Sequence, residues 1–189
     1  VFNIKGKSEG YLQDGKWIND LNFLSDDGKI KKTIKYSPIG KLISEKSFDN
    51  DVLNGDVKYF HNNEKIKEEE YYINGKKNGI FKQYDSFGNI NAEIEFKDDK
   101  RNGYSKYYFL NGQIQDLVSY KNDKRHGSFR TYNESGQLTE EKNYKNGQKN
   151  GIFKFYFSSL SGTRYLKNLE NYKDGKKNGS FKFYRINKN

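Results

Sequence analysis

A spacing of 24 residues constrains this chain more than any other feature. Counted from Gly79, the same place recurs at Gly55, Gly103, Gly127 and Gly151, each 24 residues from the next. Gly179 follows Gly151 by 28, and the four additional residues fall within 157–163, which reads as a lengthened hairpin tip. Lys31 holds the place one step before Gly55. A sequence rewritten at a fixed interval encodes a supersecondary unit that buries its apolar surface only against neighbouring copies. The expected organisation is a degenerate cap hairpin over residues 1–30, then about six 24-residue hairpins over 31–189, ending in a partial repeat.

Alignment on that origin brings out columns. Five positions on stand Tyr36, Phe60, Tyr84, Tyr108, Tyr132, Tyr156 and Tyr184. Eleven on stand Leu42, Ile66, Ile90, Ile114 and Leu138. Seventeen on stand Phe48, Tyr72, Phe96, Tyr120 and Tyr144, with Tyr172 after the insertion. Asn54, Asn78, Asn102, His126, Asn150 and Asn178 precede the origin, and Gly40, Gly88, Gly112 and Gly136 mark a second turn nine positions on. Gly and Asn accept the positive φ that tight turns between twisted strands require. Each unit therefore reads as turn, short strand, Gly-containing tip, longer strand and turn, which is a β-hairpin. The fold class expected is all-β, with tandem hairpins forming an elongated, twisted antiparallel sheet about 60 Å long at the usual strand spacing.

Composition supports a thin sheet. Only 32% of residues are hydrophobic and the net charge is +10, yet 16% are aromatic. Tyr and Phe suit half-buried pleated surfaces, and a thin sheet needs little core. In the longer strand, alternation puts Ile90, Ala92, Ile94 and Phe96 on a packed face and Asn89, Asn91, Glu93 and Glu95 on a wet one. The short strand is ambiguous: Phe81 and Tyr84 are three apart, so either a bulge re-aims one or both faces carry aromatics. A basic column (Lys58, Lys82, Lys106, Arg130, Lys154, Lys182) is expected to meet carboxylates across the sheet. With Tyr132 opposite Leu138, unbroken alternation pairs Arg130 with Glu140 and Lys58 with Glu68.

The unit carries G-x-F-K-x-Y after the origin, and Tyr72-Ile73-Asn74-Gly75-Lys76-Lys77-Asn78-Gly79 at the joint. It resembles the MORN repeat, and more closely the bacterial variant of that repeat that is often labelled as an antitoxin. The resemblance covers about residues 31–189. It implies a hairpin array used for binding or spacing, with anionic-lipid binding, dimerisation and protein scaffolding among the family's associations. It supplies no catalytic residues.

The residues by themselves favour no catalysis. Cys is absent and there are two histidines, so a thiolate nucleophile, a disulfide and a His-rich metal site are all disfavoured. His126 reads as a joint residue and His61 as a tip residue. Asp49-Asn50-Asp51 begins like a calcium loop but lacks its Gly and terminal Glu, and so reads as a turn. Glu68-Glu69-Glu70 and Glu140-Glu141 read as a charged wet face. No cofactor and no metal is expected.

Binding is the remaining class. A protein partner or a homodimer would use aromatics expected to be exposed, Tyr107, Phe155 and Phe183. An anionic lipid or cell-surface polymer would use the joint cations Lys76, Lys77, Lys100, Arg101, Lys124, Arg125, Lys176 and Lys177, which form a basic stripe if the joints align. An antitoxin-like role, neutralising a partner toxin, is a further alternative. Nucleic acid is disfavoured, because the aromatics already fall in register with a core. The absence of Met, even at the first position, reads as a processed or trimmed start and leans toward export or the cell surface, with the cytoplasm also open.

Overall fold

The computed structural model describes residues 12–13, 16–17, 20–158 and 164–184, with side chains described over 21–157 and 165–184. These residues are strands and turns. The strands are β1 (Leu12–Gln13), β2 (Lys16–Trp17), β3 (Asp20–Leu24), β4 (Ile30–Tyr36), β5 (Leu42–Asp49), β6 (Val52–Phe60), β7 (Ile66–Ile73), β8 (Lys76–Tyr84) and β9 (Ile90–Lys97). They continue as β10 (Lys100–Tyr108), β11 (Ile114–Lys121), β12 (Lys124–Tyr132), β13 (Leu138–Lys145), β14 (Gln148–Lys149), β15 (Gly151–Ser158), β16 (Arg164–Lys173), β17 (Lys176–Lys177) and β18 (Lys182–Phe183). β1 and β2 pair alone; the other sixteen form one open antiparallel sheet in hairpin order. Two compact units divide the chain, residues 1–90 with 96–99, and 91–95 with 100–189. Half of the expected cap lies outside the described residues; within it, β3 pairs with β4 through a Ser25–Lys29 turn.

Two kinds of turn alternate. At the tips, residue pairs such as Ser37 and Lys41 close a three-residue loop, with Gly40 donating its N–H to the Ser37 carbonyl at a φ of 78°. That is a type I turn with its last residue left-handed, and Glu64 takes the Gly position in the next tip at 62°. At the joints the turn is two residues long: Asn50–Asp51, Asn74–Gly75, Asp98–Asp99, Asn122–Asp123, Asn146–Gly147 and Asp174–Gly175. Their non-glycine φ values run from 48° to 66°, the mirror-type turn that matches strand twist. Asp49-Asn50-Asp51 thus lies at a turn.

The second Asn-Gly of the quoted joint, Asn78-Gly79, is not that turn. Asn78 and Gly79 lie inside β8, so the strand read as short is nine residues long. Register jumps there, from Glu69 opposite Lys82 to Tyr71 opposite Asn78. The Asn column has another task. Asn54 and Asn78 accept N–H bonds from Asn74 and Asp98, the first turn residues of the next joint, at 3.4 and 3.3 Å. His126 stands in that column within β12, and its Nδ1 lies 3.2 Å from Asn146 Oδ1. The second turn residues donate back to the preceding joint: Gly75 to Leu53 O, Asp99 to Lys77 O, Asp123 to Arg101 O, Gly147 to Arg125 O and Gly175 to Lys149 O. Each joint is tied to its predecessor by backbone bonds, which is why the same letters are rewritten.

A bulge corrects the expected charge pairing. Tyr132 lies opposite Leu138 as expected, but Thr131 lies opposite Glu140, leaving Thr139 as an extra residue. Arg130 therefore faces Glu141, and Lys58 faces Glu69. The shift recurs beside Tyr36, Phe60, Tyr108 and Tyr156. It also breaks the single apolar row expected in the longer strand. Ile114 pairs with Tyr108 while Asp116 pairs with Tyr107, so residues two apart fall on opposite faces. The ambiguity at Phe81 and Tyr84 resolves in the same way, with both faces carrying aromatics.

The insertion lengthens the strands rather than only the tip. Phe157 pairs with Tyr165 and Ser158 with Arg164, two additional rungs that account for the four added residues.

Burial is sparse. Val57, Ala92, Val118, Phe153 and Tyr172 are the buried hydrophobics among the described residues, joined by Ser44, Glu70 and Ser105. Ser105 is 1% exposed and its hydroxyl has no partner. A buried polar group left unsatisfied costs stability. Ser105→Ala should therefore raise the free energy of unfolding by about 0.5–1 kcal/mol, read as a higher urea midpoint at unchanged slope. A lower midpoint would mean that the hydroxyl is bonded in solution.

Candidate functional site

Strand pairing assigns the side chains to two faces, and each unit shows the same division. One is an aromatic face. In the first unit Phe81 and Phe96 meet edge-on, centroids 6.3 Å apart, and Lys77 Nζ lies 4.9 and 5.1 Å from them. The same ammonium donates to Glu70 Oε1 at 2.6 Å, and Tyr72 Oη donates to Oε2 at 2.7 Å. Glu70 is only 8% exposed, so it is not part of a wet acidic face. Burial, then the bond to Glu70, pushes the Tyr72 hydroxyl well above the usual phenol range.

In the second unit the aromatics run on continuously. Phe129, Tyr144, Phe153, Tyr172 and Phe181 follow one another at centroid spacings of 6.3, 5.5, 4.8 and 6.2 Å. Cations stack on the aromatics of this face: Arg101 on Tyr120 at 4.2 Å, and over the row Arg125 on Phe129 at 5.1 Å, Lys149 on Tyr172 at 4.6 Å and Lys177 on Phe181 at 4.6 Å. Such stacking contributes about 0.5–1 kcal/mol at each exposed contact.

The opposite face carries ion pairs. In the first unit Glu45, Lys58, Glu69 and Lys82 stand opposite one another in turn. Lys32 reaches Glu45 at 3.2 Å, Lys58 reaches Glu69 at 4.0 Å, and Tyr84 Oη donates to Glu69 at 2.8 Å. In the second unit Lys106 and Tyr108 both donate to Glu93 at 2.9 Å. Arg130 and Lys154 share Glu141 at 3.3 and 3.0 Å. The hydrogen bond from Lys154 holds the Glu141 carboxyl below its ordinary range; burial opposes it, and the bond from Arg130 adds to the lowering. Exposed pairs of this kind each contribute little.

The cations singled out from the sequence are thereby split. Lys76, Lys100, Lys124 and Lys176 are exposed, and Lys77, Arg101, Arg125 and Lys177 stack on the aromatic face, Arg125 and Lys177 while still exposed. Alternation along a strand sends neighbours to opposite sides, so doublets cannot form one stripe. The aromatics expected to be exposed also divide. Phe183 is 72% exposed. Tyr107 is half-buried, and burial raises its hydroxyl above the usual range. Phe155 is half-buried beneath Lys142, whose Nζ lies 5.5 Å from the ring. Both lie on the aromatic face, which is why exposure fails there. His61 is part-buried, with Nε2 3.0 Å from Tyr84 O. Among the described residues no three His, Cys, Asp or Glu converge on a metal-sized point.

The profile of the MORN repeat variant matches residues 53–74, 77–98, 101–122 and 125–146. Residues 53–146 are four tandem MORN repeats. No curated protein matches the chain. Each MORN repeat runs from the strand after one joint to the first turn residue of the next, so the cation that opens three of them (Lys77, Arg101, Arg125) is the one stacked on aromatics. MORN repeats are in general binding and scaffolding units, not catalytic ones.

Two features escaped the sequence reading. On the ion-pair face of the first unit, Val52, Tyr71, Ile73 and Ile80 are 45, 43, 47 and 51% exposed. In the carboxylate column Glu45, Glu69, Glu93, Glu141, the places of two copies hold Leu117 and Leu169. The column break was visible in the 24-residue alignment; the apolar cluster was not, because it depends on the register at the joint.

Proposed function

We propose that this chain is a non-enzymatic, protein-binding repeat scaffold. The exposed apolar cluster of Val52, Tyr71, Ile73 and Ile80 carries the reading, since apolar side chains gathered on one face mark an interaction surface. An antitoxin-like role is one form of it. Anionic-surface binding is the second reading, supported by Lys76, Lys100, Lys124 and Lys176, whose side chains remain at the surface. Lys77 and Lys177 are poor choices for testing it, because their removal also unstacks aromatics.

The scaffold reading expects a defined protein to be cross-linked to the wild-type chain in its native host and lost from Ile73→Ser/Ile80→Ser. It also expects phosphatidylserine vesicles to leave the chain in the supernatant at physiological salt. Salt-sensitive sedimentation with those vesicles, abolished by Gln at Lys76, Lys100, Lys124 and Lys176, would replace it with the surface reading.

A further inference from the structure

We infer that the ion-pair face of the second unit docks an extended acidic segment of a protein partner, an inference that rests on the protein-binding reading and names the chemistry of one partner. In the first unit the row across the strands is balanced, Glu45, Lys58, Glu69, Lys82. In the second it reads Lys106, Leu117, Arg130, Glu141, Lys154, Leu169, Lys182, each residue opposite the next. Glu93 adds a carboxylate beside Lys106. With Glu95, which also acts on Lys106, four cations thus face three carboxylates, because leucine stands where the other copies place glutamate. The row keeps a positive surplus.

The surface beside this line is shaped. Arg130, Tyr132, Leu138, Glu141, Lys154 and Tyr156 border an open groove of about 760 Å³. Two tyrosines and a leucine offer apolar walls, and Arg130 and Lys154 meet there around one carboxylate. An acidic side chain entering the groove meets both cations, and its chain neighbours lie on tyrosine.

The spacing selects the conformation of the occupant. Successive cations are two strands apart, roughly 10 Å at the usual strand separation. A polyproline II segment has three residues per turn and rises about 3.1 Å per residue, so every third side chain returns to one side after about 9.3 Å. A segment with a carboxylate at every third position therefore places successive acids near successive cations. A β-strand occupant does not, because its third residue points away.

The test uses fluorescence anisotropy of a labelled peptide repeating Glu-Pro-Pro, with a peptide repeating Gln-Pro-Pro as control. The wild-type chain should bind the first, more weakly as salt rises, and not the second. Leu117→Glu/Leu169→Glu restores the missing carboxylates and should weaken binding by about tenfold or more, since like charge now opposes the peptide. Leu117→Gln/Leu169→Gln should bind as wild type, which separates charge from packing. Arg130→Gln/Lys154→Gln should lose binding comparably. Wild-type affinity in the double-Glu chain, or no binding of Glu-Pro-Pro by the wild type, overturns the inference. Retention on phosphatidylserine vesicles that the peptide does not compete away overturns it in favour of a membrane. The Ile73→Ser/Ile80→Ser cross-linking result is independent of each of these, so the scaffold reading stands or falls separately.

Discussion

Phe153→Ala should destabilise the chain by about 3–5 kcal/mol, the range for truncating a buried aromatic ring. Phe153 is 1% exposed, the most enclosed aromatic among the described residues. Its ring lies 5.5 Å from Tyr144 and 4.8 Å from Tyr172, tilted by 53° and 47°, with Lys149 Nζ 5.4 Å from its centroid. Truncation removes the middle of a five-ring row and leaves both neighbours with one side uncovered. In a sheet with so few buried side chains, nothing nearby can collapse into the space. Urea unfolding followed by tyrosine fluorescence reads the loss. Phe183→Ala is the matched control: Phe183 is 72% exposed, and its truncation should change stability by no more than about 0.5 kcal/mol. Equal effects would show that the row is not the core. Because a repeat array is held together by nearest-neighbour contacts, the loss should also appear locally, as faster amide exchange in β13, β15 and β16 before β4 to β6.

Gly103→Ala should cost about 2–4 kcal/mol, from backbone strain added to a steric clash. Gly103 has a φ of 127°, which L side chains rarely adopt, and a Cβ there would lie 2.7 Å from Glu95 Cδ and 2.9 Å from Glu95 Cβ. The Cβ is the fixed stem of the side chain, so rotation of Glu95 cannot relieve the whole clash. Gly28→Ala isolates the strain alone. Its φ is 81° and nothing lies within 4 Å of the added carbon, so its cost should be about 1–2 kcal/mol. Thermal melts of the two variants side by side give the difference. If Glu95→Gly, which removes the Cβ as well as the carboxylate, recovers no stability when combined with Gly103→Ala, strain alone explains the effect and the clash is wrong.

Gly103 also illustrates what kind of information a column holds. The 24-residue period marked it as a place where glycine recurs, and a turn was the natural reading. Its strand-interior position follows from two turn residues, Asp98 and Asp99, four to five places earlier. Both Asn-Asp-type and Asn-Gly pairs favour turns, and the joint contains both within a few residues. Local propensity alone does not decide between them. The bulge at Thr139 is similar. Nothing in Leu138-Thr139-Glu140 distinguishes a bulge from a regular strand, and a single extra residue reverses every subsequent face assignment. That is why Arg130 pairs with Glu141 and not Glu140.

The site was legible in part. The Lys and Arg doublets were visible, as was the interruption of the glutamate column at Leu117 and Leu169. Their consequences were not. A doublet read as a stripe became one surface cation and one stacked cation at each joint, because a strand runs through it.

By itself, the sequence determined the repeat length, the hairpin order, the all-β class and the MORN character. These follow from local chemistry copied at a fixed interval: turn residues that accept positive φ, and aromatics that suit a pleated surface. The tertiary structure decided which face each side chain occupies and which charges meet. Those depend on register between strands, and register is fixed by hydrogen bonds that skip one residue at each bulge, a geometric fact shared by two strands and written in neither.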